Sequence, residues 1–429
     1  MRQSWGSLIP CRHSQPFRYR AVGVWLCILS MASPVVVDAK EDTWPDPEVV
    51  APANSKFTFG ADSNSSSAYT LQVAESAYSA ATWHETQGNE ECVDLFFAAA
   101  VHAWPAYHRD ISSGQWTRGA QLYQSALIRL VSAGQFYRRL DPRRGMVVMY
   151  EGCRLTIPAQ YHGFVFPTCQ FEHLAPVGAY RSKHLRNVYS HAGLGMPVVV
   201  VSNNNRQPFM RPQQVFAATV LLRPAESCAV GGPHKYLLEF YDSTRNDSVS
   251  MYGRRYPLAR DTTAPIAYIM ATRERNYLSA FLNPGATTDD TGLFMIEPYQ
   301  PGKIPIIFIH GLLSDPMTWA NMANEVRAQP DLMQHYQIWG FEYTTGGAFL
   351  SSAAILRQEL AEVYEQSLGT GAPPITDAVL VGHSMGGLVA KLQVTSSGDQ
   401  VWRSVSDVPL AAIDTPPQTR ASLAAASYF

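Results

Sequence analysis

Ala378-Val379-Leu380-Val381-Gly382-His383-Ser384-Met385-Gly386-Gly387-Leu388-Val389-Ala390-Lys391-Leu392 sets a Gly-x-Ser-x-Gly pentad between a short apolar strand and the start of a helix. Alone, the pentad has little weight, because glycine and serine are common residues. Its flanks give it meaning. A serine on a sharp strand-to-helix turn needs a buried strand before it and a helix after it, and both are present. Gly382 and Gly386 then fall where a side chain would collide with the tight turn or a neighbouring strand.

Upstream, Ile304 to Ile309 is an all-apolar run, the pattern of a strand buried on both faces of a parallel sheet. His310-Gly311-Leu312-Leu313 follows it, then Asp315-Pro316 and Trp319. The spacing predicts a helix over 317–328, a strand over 337–343 and a helix over 352–366, the last with Ile355, Leu356, Leu360 and Val363 on one face. Strand and helix in alternation argue βαβ units and a doubly wound sheet.

Through Ile304–Trp319, the strand Gln337–Tyr343 with its Thr344-Thr345-Gly346-Gly347 turn, and Val379–Lys391, residues 297–429 resemble the α/β-hydrolase superfamily, in particular exported bacterial esterase/lipase-like proteins. The resemblance implies Ser384 as nucleophile, with the backbone N–H groups of Leu312 and Met385 as oxyanion hole. His310, Gly311, Gly382, His383 and Gly386 belong to the same motifs. Two fixed N–H donors suit a tetrahedral oxyanion, and losing one such donor typically costs ~10²–10³ in rate. His310 and His383 are read as turn residues beside the nucleophile and not as its base, since a triad is recognised by geometry and not by adjacency.

In this fold the acid and then the histidine follow the serine in the chain. After Ser384 there are only Asp399, Asp407 and Asp414, no glutamate and no histidine. None of the three aspartates is nominated as the acid. The domain is therefore expected to be incomplete at its C-terminus, as a shortened form of a longer hydrolase, inactive or impaired as it stands. The strand at 378–381 is expected to be left on an open sheet edge. The expected reaction is serine-dependent hydrolysis of a small-molecule or lipid carboxylic ester through an acyl-enzyme. The alternative is a non-catalytic exported binding or surface protein carrying a remnant hydrolase domain. The Thr344–Gly347 turn is a place where a lid could sit.

The rest of the chain bounds these readings. Of 429 residues, 46% are hydrophobic and 16% charged, which excludes a disordered chain. A net charge of −2, with no basic run outside the N-terminus, argues against a nucleic-acid partner. Arg2, Arg12, Arg18 and Arg20 precede the apolar run Ala21–Leu29, and Val37-x-Ala39 resembles a cleavage site. Residues 1–39 thus read as a signal peptide and not as an anchor, because the apolar stretch falls short of the ~20 residues of a span and Pro34 interrupts it. No integral membrane span is expected after its removal, and the location is expected to be periplasmic, cell-envelope or secreted.

Residues 40–66 read as a linker. Residues 67–142 read as a helical segment, with Val93, Phe96, Phe97, Ala100 and Val101, then Leu122, Ala126, Leu127, Leu130 and Val131, at helical spacing. Residues 143–296 read as a β-rich accessory region with strands near 146–150, 197–201, 215–222 and 236–241. Its aromatics Phe164, Phe166 and Tyr180 are taken as core. The fold class is α/β, a partial hydrolase sheet preceded by these two regions.

Beyond the leader, Cys92, Cys153, Cys169 and Cys228 allow up to two disulfides, or buried free thiols. There is no C-x-x-C pair, no phosphate-cradling or dinucleotide glycine motif and no H-E-x-x-H, so neither metal nor cofactor is expected. Asn64-x-Ser66 and Asn246-x-Ser248 match the glycosylation sequon. The oligomeric state is left unassigned.

Overall fold

Val198-Val199-Val200-Val201 is apolar at every position because both faces of its strand are covered. Successive side chains point to opposite faces. Val198 and Val200 join a core with three helices, and Val199 and Val201 join a second core on the other side. The computed structural model describes residues 67–429 apart from 114–117, 181–183, 204–208, 210, 212, 226–235, 273–290, 298 and 369–373. The leader, the linker, Cys228 and the sequon at Asn64 lie outside the described residues.

The helices are α1 (Ser67–Thr86), α2 (Glu91–Ser113) and α3 (Arg118–Phe136). They lie on a seven-stranded sheet formed by β1 (Leu140–Asp141), β2 (Gly145–Tyr150), β3 (Cys153–His162), β4 (Phe171–Pro176), β6 (Met196–Asn203), β7 (Gln213–Pro224) and β8 (Tyr236–Asp242), in the order β1-β2-β3-β8-β7-β6-β4. Only the β3–β8 pair is parallel. Two short ladders flank it, β5 (Ser190–His191) with β11 (Arg260–Asp261) and β9 (Ser248–Met251) with β10 (Arg254–Pro257).

Tyr107 and Tyr123 stack 4.2 Å apart; Tyr123 ties α3 to this sheet by donating to the Leu222 carbonyl of β7 at 2.6 Å, and Tyr107 ties α2 to the segment before β6 by donating to the Gly193 carbonyl at 2.8 Å. Phe166 is buried, and Phe164 and Tyr180 pack half-buried against the cores, consistent with structural roles. Cys92, Cys153 and Cys169 carry free thiols. Burial pushes the Cys92 thiol up to about 11. The Asn246 amide donates to the carbonyls of His162 and Asp242 at 3.1 and 3.2 Å, so that sequon's nitrogen is already engaged in the fold.

The second sheet holds β12 (Gly292–Met295), β13 (Ile304–Ile309), β14 (Tyr336–Glu342) and β15 (Val379–Gly382) in the order β12-β14-β13-β15. β13 runs parallel to both neighbours, and β12 is antiparallel to β14. The apolar run splits by face: Ile307 and Ile309 meet the long helix Phe349–Leu368, while Ile306 and Phe308 meet Ala320 and Ala323 of the helix Ala320–Arg327. β15 pairs only with β13 among the described residues, and its four residues are half-buried.

Helix α4 (Ala264–Thr272) lies between the sheets. Ala264, Tyr268 and Ile269 face β6 and β7, while Ile266, Ala267 and Met270 face β13 and β14. A helix apolar on all sides is a buried helix, and here each side has its own sheet. Polar contacts reinforce the junction: Asn324 accepts from the Thr263 hydroxyl at 2.8 Å and donates to the Asn187 carbonyl at 2.9 Å.

A buried ion pair and a half-buried carboxyl give stability predictions. Arg223 on β7 makes a bidentate pair with Glu239 on β8 at 2.8 and 2.9 Å, and both side chains are buried. Arg223→Ala should cost about 3–5 kcal/mol in urea unfolding, because it strands a buried carboxylate. The double variant Arg223→Met/Glu239→Leu should cost much less.

Glu359, on the long helix, accepts the Leu293 N–H of β12 at 2.6 Å. Burial pushes its carboxyl from 4.5 up to about 7. Over that window the folded state keeps a proton that the unfolded state has lost, so this group's contribution to stability falls as pH rises from 4.5 to 7. Glu359→Gln should flatten the decline of Tm across that range, measured by thermal melts.

Candidate active site

β13 ends at Ile309 and β15 at Gly382, side by side and in register. The chain beyond β15 must turn back over β13 to start its helix, Met385–Lys391. The turn places Ser384 at φ 54°, ψ −121°, a backbone conformation that side chains avoid. The His383 N–H donates to the Ile309 carbonyl at 3.1 Å, and the N–H groups of Gly386 and Gly387 donate to His383 and Ser384 carbonyls at 2.9 Å.

Backbone contact explains the glycines. A Cβ on Gly382 would lie 2.4 Å from the Gly386 carbonyl oxygen. One on Gly386 would lie 2.3 and 2.4 Å from the carbonyl oxygens of Ile309 and His310. One on Gly311 would meet His383 Nδ1 at 2.8 Å and Ser384 Cβ at 3.1 Å. The His310–Leu313 loop is therefore in contact with the serine, and Ser384 itself is exposed. Among the described residues, the N–H groups of Leu312 and Met385 donate to no protein acceptor.

His310 is 1% exposed. The Tyr343 N–H donates to its Nε2 at 3.3 Å, so the neutral ring carries its proton on Nδ1, which faces the Gly311 carbonyl at 3.1 Å. The Tyr343 hydroxyl donates to the His310 carbonyl at 2.7 Å, and the two rings stack 4.4 Å apart. Burial raises the Tyr343 hydroxyl's pKa above its ordinary value. His383 is exposed, and its ring meets the indole of Trp319 edge-on at 6.5 Å. No side-chain hydrogen bond reaches Ser384 Oγ among the described residues. Asp399, Asp407 and Asp414 are exposed, and Asp399 pairs with Arg403 at 2.6 Å.

Residues 300–419 match the family model of the PGAP1-like alpha/beta domain. The C-terminal region is thus an α/β-hydrolase-type domain. This PGAP1-like stretch contains β13, β14, β15, the elbow and the His310–Leu313 loop, and leaves out α1–α3 and the seven-stranded sheet. No curated protein and no solved structure matches the chain significantly. Among the described residues, no cluster of three or more His, Cys, Asp or Glu side chains is arranged to hold a metal ion.

Tyr343 and Thr345, the latter accepting the Leu313 N–H at 3.3 Å, bear on the site; both lie in the stretch that carries the resemblance, which implies no site role for either. Their signal is register. Ile309 pairs with Phe341 across parallel strands, so residues just beyond both ends meet. That inference requires β13 and β14 to be known neighbours.

The elbow's packing predicts opposite outcomes for adjacent glycines. Gly386→Ala should lose about 3 kcal/mol, because the new methyl meets two backbone carbonyls that cannot swing aside. A Cβ on Gly387 would have its nearest neighbour at 3.7 Å. Gly387→Ala should be neutral or slightly stabilising inside the helix. Chemical denaturation of both variants checks the contrast.

Proposed function

We propose that the chain is a serine-dependent hydrolase of carboxylic esters, with Ser384 as nucleophile and the N–H groups of Leu312 and Met385 as oxyanion hole. The observation that carries this reading is the conformation of Ser384: φ 54° on an exposed strand-to-helix turn, where the glycines hold the backbone in place. Such strain at an exposed hydroxyl has no packing purpose and is a mark of functional sites. In this reading Ser384 Oγ attacks the acyl carbon, the two N–H groups take the developing oxyanion, the alcohol departs, and water releases the acyl group. The substrate is a small-molecule or lipid ester. The leader pattern at 1–39 supports action outside the cytoplasm. No helix among the described residues is long and apolar enough to cross a membrane.

The absence of any side-chain hydrogen bond to Ser384 Oγ among the described residues favours a second reading, a non-catalytic exported binding or surface protein. His310 is committed to Tyr343 and Gly311, and a serine without its base loses orders of magnitude in rate.

A fluorophosphonate probe and a short-chain p-nitrophenyl ester separate the readings. The hydrolase reading expects covalent labelling and ester turnover in the full chain, both lost in Ser384→Ala. Labelling that survives the substitution overturns the assignment of Ser384. A chain that neither labels nor turns over ester supports the binding reading.

A further inference from the structure

Among the described residues Leu312 makes no hydrogen bond of its own, and its neighbours hold the loop. On its N-terminal side the loop is gripped by Tyr343, whose N–H and hydroxyl both bond His310 and whose ring stacks on the imidazole. On its C-terminal side Leu313 has φ 52°, a left-handed conformation that a leucine does not adopt without support. Its N–H donates to Thr345 Oγ1 at 3.3 Å. Leu312 and Leu313 themselves are 49% and 50% exposed, so little side-chain packing fixes either one. Thr345 is buried, in a turn closed by the Gly347 N–H bonding the Thr344 carbonyl at 3.3 Å.

We propose that Thr345 is a positioning residue for the oxyanion loop: by accepting the Leu313 N–H, its hydroxyl keeps Leu313 left-handed and thereby aims the Leu312 N–H beside Ser384. This rests on the ester-hydrolase reading of the site. Thr345 touches no reacting atom and acts through the backbone of Leu313. The left-handed cost of one residue and the worth of one hydrogen bond are of the same order, so loss of this bond is enough to let Leu313 leave the left-handed region while Tyr343 still holds His310. The Thr344–Gly347 turn is thus tied to the site as a brace. The carbonyl of an ester gains its charge only in the transition state, so a misaimed N–H weakens catalysis more than substrate binding.

The test compares Thr345→Val, which keeps shape and removes the hydroxyl, with Thr345→Ser, which keeps the hydroxyl. In the full chain, Thr345→Val should lower kcat for a short-chain p-nitrophenyl ester about 10–100-fold, with KM within about threefold, and should slow fluorophosphonate labelling to a similar degree. Thr345→Ser should remain within about threefold of the parent, and the Tm of both should move little. A Thr345→Val enzyme as fast as the parent overturns the proposal, as do Val and Ser variants that are equally slow. A parent chain that neither labels nor turns over ester would defeat the hydrolase reading. The brace is then judged on the backbone alone: faster amide hydrogen exchange at Leu313 in Thr345→Val upholds it, and unchanged exchange overturns it.

Discussion

The backbone of the elbow helix sits directly on the carbonyls at the end of β13. Gly386 approaches the oxygens of Ile309 and His310 more closely than any Cβ would permit, and Gly382 approaches Gly386 in the same way. This crowding fixes the relative placement of β13, β15 and the helix Met385–Lys391. It leaves Ser384 no ordinary conformation to relax into. The His310–Leu313 loop grows from the same end of β13, so the constraint that bends the chain at the serine also brings that loop against it. The sheet around them is conventional in its physics. β13 is central and apolar on both faces, and its neighbours run parallel to it.

Much of this second sheet could be read from local pattern. The run Ile304–Ile309, the helix within Phe349–Leu368 and the strand before the elbow each show a period or composition that has one structural meaning. The segment expected as one helix over 317–328 divides into a 3-10 turn, Pro316–Trp319, and the helix Ala320–Arg327, with the Asp315 carboxylate accepting the Met317 N–H at 2.8 Å. β12 was not legible, because four residues give no usable period and its position depends on pairing with β14. Glycines at 382 and 386 were legible as necessities of the turn. Gly311 was legible only as part of a motif, and its reason is the imidazole of His383 resting over it.

The first half of the described chain was legible as elements but not as an assembly. The strands at 146–150, 197–201, 215–222 and 236–241 lie within β2, β6, β7 and β8, yet the parallel β3–β8 pair joins segments far apart in the chain. Helical periodicity revealed apolar faces on α2 and α3 and was silent on what would cover them. In the structure α1–α3 share one core with the seven-stranded sheet. Tyr343 and Thr345 were legible as part of a resembling stretch but not as residues of the site, because they act by hydrogen bonds to another segment. Such contacts leave no trace in hydrophobic pattern.

Helix α4 belongs equally to both sheets, and it precedes β13 and β14 in the chain. A protein is made from its N-terminus, so α4 leaves the ribosome while the strands that will cover Ile266, Ala267 and Met270 are still unmade. Wherever the first sheet forms before those strands have joined it, α4 presents an apolar flank, the kind of surface that chaperones bind and that other unfolded chains can capture.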